Sequence, residues 1–379
     1  MSASIAVAVT LAIVALAHAF QIATSAVAAR RVWAAESRVA SRETVPQLIA
    51  VIVPIAHADP YLPAVVEGLF RLEGHNAELL FCLPHASDVE GLVADVARSY
   101  PNFPFRVLVG RTAVSVNPKL DNLEKALAEP GAEWCCIVDA NIILPPDYLS
   151  QLTAAVSENV AVVSALPVGT RADGFWSEVE AAFLNTYQAR LQLAADTLGA
   201  GFAHGKTLLF RTADLRRWGG ATALASDVAE DAAITKLAWS EGRRVKLIDA
   251  PVPQPLGRRS FLEVWRRQFR WAQLRRQAFP ALYSAEPLST SLIPAVVAGV
   301  AGELLGLGFL AGFLASLTLW IGAETAFASL VGWRWGLSYA MACIIRDGLA
   351  LAIWLLAWRR HTYNWRGNSV DMRHLRPPT

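Results

Sequence analysis

The sequence predicts an α/β fold class: an open, mostly parallel sheet with helices on both faces, set between α-helical transmembrane segments. Two observations carry this. Short apolar runs alternate with helix-patterned segments between about Val45 and Tyr283, and the stretches that flank them, Ala6–Ala29 and Leu288–Trp358, are long, apolar and nearly uncharged. Composition agrees, because 54% of the 379 residues are hydrophobic and only 17% charged, against about 45–50% and about 25% in soluble domains. The formal net charge of +2 excludes little, and no nucleic-acid partner is expected.

Ala6–Ala29 contains no Asp, Glu, Lys or Arg, and about 20 apolar residues span a bilayer. "AHA" at Ala17–Ala19 resembles a cleavage site, yet no positive charge precedes the run and it exceeds the usual ~7–15-residue signal core. A retained anchor over 1–31 is therefore expected. Arg30, Arg31, Arg38 and Arg42 follow it, and basic flanks stay cytoplasmic, so the next domain is expected inside.

That domain is expected over 45–285. "QLIAVIVPI", "AELLFCL", "FRVLVG" and "EWCCIVD" are continuous apolar runs with β-branched residues. Between them stand helical segments: "DPYLPAVVEGLFRLEG", "SDVEGLVADVARSY" with a Ser/Asp start signal, and "NPKLDNLEKALAE". Such alternation predicts parallel strands covered on both faces, joined by right-handed crossovers. Ligands of open α/β sheets bind beyond the carboxyl ends of the strands. Adjacent Cys135 and Cys136 point to opposite faces and are expected as buried thiols, as are Cys82 and Cys343.

From Leu288 to Trp358 the chain is apolar again, with room for three passes near 289–309, 311–331 and 336–358. The basic tail over 359–379 should be cytoplasmic. Three crossings from an inside start would leave that tail outside, so one segment is expected to be re-entrant or interfacial. Glu303, Glu324, Arg346 and Asp347 lie in this region and are expected to face protein or a wet cavity, Arg346 and Asp347 alternatively a loop edge.

Two carboxylates fall at strand ends. Asp88 follows "AELLFCL" and Asp139 ends "WCCIV". Asp88 can equally be a helix cap. Asp139-Ala140-Asn141 offers a carboxylate and an amide oxygen to a hard cation. Mg2+ or Mn2+ takes one or two carboxylates plus substrate phosphates and would neutralise a diphosphate leaving group. Glu230 and Asp231 begin a helical run. There they complement the helix dipole, or one accepts a proton from an attacking hydroxyl. A basic amphipathic helix is expected at about 258–279, with Leu262, Trp265, Phe269 and Ala272 at helical intervals. It suits a membrane interface, and presents Arg267 and Arg270 to phosphate oxygens.

Taken in order, these residues resemble the ceramide glucosyltransferase-like family of inverting membrane glycosyltransferases, which have a GT-A fold. The matching stretches are "LFCLPHASD" ending at Asp88, "NPKLDNL", "VDAN" with Asp139, "AED" ending at Asp231, Arg267-Gln-Phe-Arg270-Trp271 and the tail's "NWRG". The resemblance covers nearly the whole chain and departs from the family at Val53, His57 and Gln188. It implies that Asp88 contacts the uridine, that Lys119 and Asn122 help the donor site, and that Asp139, with Asn141, holds the divalent metal on the diphosphate. Asp231 would be the general base, while Arg267, Arg270 and Trp271 bind the diphosphate and close the acceptor side. The implied reaction transfers a sugar, glucose first among candidates, from a UDP-sugar to a membrane-lipid hydroxyl with inversion. The lipid is ceramide-like, with diacylglycerol or hopanoid as alternatives, and the site faces the cytoplasm at a bacterial inner membrane. A processive polysaccharide synthase and a non-catalytic nucleotide-sugar-binding membrane protein are the other readings.

Overall fold

The computed structural model describes residues 3–37, 48–74, 76–128, 131–359, 362–365 and 368–371. The charge-free N-terminal run forms one helix, α1 (Ala3–Ser37). The four apolar runs form β1 (Ile49–Pro54), β2 (Ala77–Leu83), β3 (Phe105–Val109) and β4 (Trp134–Val138). They alternate with helices α2 (Leu62–Phe70), α3 (Val89–Ala97) and α4 (Pro118–Leu127). Helix α5 (Tyr148–Thr153) leads to β5 (Val160–Ser164) and β6 (Pro167–Asp173). Then come α6 (Phe175–Ala182), a π-helical stretch at Phe183–Ala189, α7 (Arg190–Thr197) and β7 (Thr207–Arg211). Helices α8 (Thr212–Trp218), α9 (Ala221–Leu224) and α10 (Glu230–Ser240) precede β8 (Arg244–Leu247) and β9 (Val252–Arg258).

The main sheet has seven strands in the order β3-β2-β1-β4-β7-β5-β8. The parallel pairings are β1 with β2 and β4, β2 with β3, and β5 with β8. Strand β7 alone runs antiparallel, to both β4 and β5. Alternate residues feed two cores, as a sheet buried on both faces requires. Val51, Phe81, Cys136 and Leu209 join α2, α3 and α5 on one face. Ile52, Leu80, Cys135 and Phe210 join α4, α9 and α10 on the other. The neighbouring thiols Cys135 and Cys136 thus lie on opposite faces, and all four cysteines are buried and unpaired to one another. This is the open, mostly parallel sheet expected of a GT-A domain. The antiparallel β7 has no counterpart in the sequence pattern, because a fully buried strand reads the same in either direction.

The chain forms two compact units. One holds the sheet, through Ala34–Val168 and Ala195–Pro255; the other gathers Met1–Trp33, Gly169–Ala194 and Leu256–Ser369. Segment 169–194 belongs to the second unit, where Val179, Ala181, Ala182 and Leu184 bury their apolar faces among the C-terminal helices. The helical unit continues with α11 (Phe261–Ala278), α12 (Pro280–Ala285), α13 (Leu292–Leu304), α14 (Phe309–Leu330) and α15 (Leu337–Ala357). Helix α11 opens on a capping box in which Ser260 and Glu263 satisfy each other's backbone donors. Its buried stripe is Val264, Gln268, Ala272, Gln273 and Arg276. Phe261 and Leu262 are exposed, whereas Trp265 and Phe269 are half-buried and stacked on each other. The expected apolar set is thus split between the core and the surface, because Gln268 enters the core by bonding Glu180 at 3.1 Å.

Helices α1, α14 and α15 are long and apolar enough to cross a membrane. The expected first pass near 289–309 is instead broken: Pro280–Ser289 and Leu292–Leu304 meet at a 51° bend. Among the ionisable residues of this region, Glu324, Arg346 and Asp347 are fully buried and paired to one another. Thr186 and Ser291 satisfy further valences of Arg346 and Asp347. Glu303 is exposed and accepts from the Phe309 N–H at 2.9 Å, satisfying a first-turn donor of α14. Of the expected tail, Thr362–Trp365 (β10) and Asn368–Asp371 (β11) pair as a two-stranded ribbon. The rest of 360–379, with Arg366 and Gly367 of "NWRG", lies outside the described residues, as do Arg38 and Arg42.

Candidate active site

The antiparallel run of β7 builds the site. Its register pairs Val138 with Thr207, so the residues just before β7 meet those just after β4, at the carboxyl edge of the sheet. The Asp139 N–H donates to the Lys206 carbonyl at 3.0 Å. Lys206 Nζ then reaches Asp139 Oδ2 at 2.8 Å and Asn141 Oδ1 at 2.9 Å. A parallel strand at this position would have put its other end here.

Two helix N-termini converge on the same edge. In the Asn-Pro-Lys that opens α4, Asn117 Oδ1 caps the helix by accepting from the Lys119 N–H at 2.9 Å, and Pro118 suits the first turn. The other half of the amide, Asn117 Nδ2, donates to Glu230 Oε2 at 2.9 Å. Lys119 Nζ bridges Asp139 Oδ1 at 2.7 Å and Glu230 Oε1 at 2.6 Å, and donates to the Gly205 carbonyl at 2.8 Å. Glu230 and Asp231 form the first turn of α10. Asp231 Oδ2 accepts from the Gly205 N–H and Oδ1 from the Ala232 N–H, both at 2.8 Å. A Cβ on Gly205 would stand 3.0 Å from Asp231 Oδ2, so glycine is what lets the backbone approach this carboxylate.

The charges follow from these contacts. Burial opposes ionisation of Asp139, but the Lys119 and Lys206 ammoniums outweigh it and hold its carboxyl well below the usual range. Burial likewise opposes the charge on Lys119, and Asp139 with Glu230 overcome it and raise the ammonium's pKa. Asp231 moves the other way. Burial first, and the Glu230 carboxylate second, push it up to about 7 against the pull of Lys119 and the two N–H donors. It remains partly exposed. The site therefore holds a firmly ionised Asp139, the Glu230 carboxylate, two ammoniums and one carboxyl, Asp231, poised to exchange a proton near neutrality.

Asp139 and Asn141 are the oxygen pair expected to hold a divalent ion, and both oxygens are bonded by the single ammonium of Lys206. Among the described residues no group of three or more His, Cys, Asp or Glu is arranged to hold a metal. A divalent ion on this pair fits only with Lys206 withdrawn from both oxygens.

Lys119, Asp139, Asn141 and Asp231 are thus brought together by the fold, with Glu230 between them. Asn122 is buried and donates to the Cys82 carbonyl at 2.8 Å; it ties α4 to the end of β2 rather than joining the cluster. Asp88 occupies the N-cap position of α3 without a side-chain cap bond. It is exposed and lines an open groove of about 720 Å3 with Pro63, Ser87 and Gly91. Arg267, Arg270 and Trp271 belong to α11 in the helical unit. There Arg267 reaches Glu180 at 3.4 Å and lies 5.9 Å from the Trp271 ring centre, and Arg270 is half-buried. Lys206, Asn117 and Gly205 are absent from the sequence-derived set. Asn117 opens the "NPKLDNL" stretch, whereas Lys206 shows in the sequence as a lysine immediately before "TLLF" and carries no meaning until β7 is known to run antiparallel.

A family model described as Glycosyl transferase family 21 matches residues 10–376. Ceramide glucosyltransferase 1 of Caenorhabditis elegans is 28% identical over 269 residues, covering 70% of this chain and 56% of that protein. Ceramide glucosyltransferase 3 of the same organism is 23% identical over 329 residues, covering 84% and 72%. The chain thus spans little more than half the length of the first of these relatives. Among solved structures, the mannosyltransferase PcManGT from Pyrobaculum calidifontis in complex with GDP-Man and Mn2+ is similar at TM-score 0.46 and 17% identity, over 89% of this chain and 98% of that one. With a match running almost from end to end, this chain belongs to glycosyltransferase family 21.

Proposed function

We propose that the protein transfers a sugar, glucose as first candidate, from a UDP-sugar to the hydroxyl of a ceramide-like membrane lipid, with inversion at the anomeric carbon. One observation carries the reading: consecutive residues Gly205 and Lys206 bond Asp231 and Asp139 respectively. They draw a proton-accepting carboxyl and a cation-bracketed carboxylate into one cluster at the carboxyl edge of the sheet. In the proposed step the acceptor oxygen attacks the anomeric carbon and gives its proton to Asp231. The bond to the β-phosphate breaks and its electron pair leaves with UDP. A general base with pKa near the working pH is the efficient choice, and Asp231 meets that condition. Lys119 supports the developing charge on the leaving diphosphate. Asp88 is assigned to the uridine, Asn122 to the donor site through its support of β2, and Arg267, Arg270 and Trp271 to the diphosphate, by motif alone. Asp139 and Asn141 are the residues that would hold a divalent ion, and one fits there only with Lys206 withdrawn from both oxygens.

The chain is read as a multi-pass protein of a bacterial inner membrane. With α1, α14 and α15 crossing and the bent pair around residue 290 re-entrant, the tail and the sheet unit fall on the cytoplasmic side, where UDP-sugars are made. This removes the parity conflict of three C-terminal crossings.

The test is transfer by the purified full chain in micelles. Labelled UDP-glucose, UDP-galactose and UDP-N-acetylglucosamine are offered with ceramide, diacylglycerol and hopanoid acceptors. Asp231→Asn is expected to lower turnover by about 10²–10⁴-fold while UDP binding persists. Turnover unchanged in Asp231→Asn overturns the base assignment, and no UDP-sugar consumption with any lipid overturns the function.

A further inference from the structure

We propose that Lys206 is the resident cation of the donor site, standing where a divalent metal would stand, so that this enzyme works on the donor diphosphate without one. The inference rests on the UDP-sugar reading above and concerns how that donor's charge is met.

Three observations carry it. The first is placement. The two oxygens that the Asp-x-Asn stretch can offer a cation, Asp139 Oδ2 and Asn141 Oδ1, converge on one Nζ at 2.8 and 2.9 Å. A neutral amide oxygen and a carboxylate oxygen pointing at one centre is how a hard cation is held; here the centre is an ammonium.

The second is charge. Asp139 carries one negative charge and is contacted by two ammoniums, Lys119 on Oδ1 and Lys206 on Oδ2. Lys119 is shared with Glu230 at 2.6 Å, so the two ammoniums balance the two carboxylates and Lys206 already answers the charge of Asp139. Adding a divalent ion there would set it against two ammoniums that share its ligand.

The third is how firmly the lysine is placed. Its backbone carbonyl accepts from the Asp139 N–H at 3.0 Å, and the β4–β7 register fixes that pairing. Its side chain is 8% exposed. To leave Asp139 and Asn141 it would have to abandon both partners from a buried position, and an ammonium does so only where a new counter-charge takes their place.

The experiment uses the full chain in micelles, with UDP as the binding probe and labelled UDP-glucose as the transfer probe, each in EDTA and in Mn2+. Wild type is expected to bind UDP within about threefold of the same Kd in the two buffers, and to keep transferring sugar in EDTA. Lys206→Met is expected to bind UDP more than about tenfold more weakly in EDTA and to recover binding in Mn2+, because the vacated oxygens can then take the metal. Lys206→Arg, which keeps the charge, is expected to retain UDP binding in EDTA. If Lys206→Met does not fold, the wild-type comparison and Lys206→Arg decide. Wild-type binding and transfer that both require Mn2+ overturn the inference and leave the UDP-sugar reading standing. UDP binding by Lys206→Met in EDTA equal to wild type also overturns it, since Lys206 would then only pin Asp139. Absence of UDP binding in either buffer overturns the inference and the UDP-sugar reading together.

Discussion

Glu230→Gln tests the electrostatics of the proposed base without touching the base itself. An ideal Cβ on Gly205 would lie 3.0 Å from Asp231 Oδ2 and 3.3 Å from Glu230 Oε1, so these oxygens are no more than about 6 Å apart. Two like charges at about 6 Å in an effective dielectric of about 20 repel by about 3 kcal/mol, or about two pKa units. Asp231 is partly exposed, and solvent screening reduces this to about one unit. The substitution also frees Lys119 from Glu230, its 2.6 Å partner, which lowers the Asp231 pKa in the same direction. Asp231 sits at about 7 in the wild type and must be ionised to accept a proton, so the acid limb of kcat/KM should fall near pH 7. In Glu230→Gln it should move down to about 6. The assay is the initial rate of UDP release across pH 5 to 9, with saturating lipid and limiting UDP-sugar. A limb that stays in place or moves up refutes the assignment of Asp231, or the claim that Glu230 raises it. The same shift has a stability consequence of fixed sign. Burial and Glu230 raise the Asp231 pKa from 3.8 to about 7, so the fold favours its protonated form. Its contribution to stability is complete below pH 3.8 and is lost as pH rises through 7.

Two further substitutions probe the scaffold. Gly205→Ala places a methyl 3.0 Å from Asp231 Oδ2. It should displace the 2.8 Å bond from the Gly205 N–H and lower kcat about tenfold or more, with UDP affinity changed far less; a wild-type rate would show that this close approach has no catalytic consequence. Arg346→Met removes the cation between the buried Glu324 and Asp347. Breaking a buried pair from one side costs about 3–5 kcal/mol, so the melting temperature of the micellar protein should drop markedly, whereas an unchanged midpoint would refute the account of this network.

Most elements and the residues that carry chemistry can be read from local pattern. Fully apolar, β-branched runs such as "IAVIVP" bury both faces, which makes a covered parallel sheet the economical arrangement. The order of Asp88, Asp139 and Asp231 along the chain was legible because strand ends and helix starts announce themselves locally, through a polar residue closing an apolar run or an acidic pair opening a helix. The long apolar helices α1, α14 and α15 were legible for the same reason, since length and hydropathy are local quantities. Strand direction and its consequences emerge only from the folded chain. A buried strand such as "TLLFR" has no pattern that distinguishes parallel from antiparallel. Yet the antiparallel run of β7 is what carries Gly205 and Lys206 to Asp231 and Asp139. Helix α11 adds a second case: its spacing marked Leu262, Trp265 and Phe269 as one face, but Glu180 brought the polar Gln268 into the core instead. The packing of 169–194 with the C-terminal helices was hidden as well, because it rests on contacts far apart in the chain, such as Thr186 with Tyr339. Local pattern fixes which residues can do the chemistry; register and direction, set by long-range pairing, fix which of them meet.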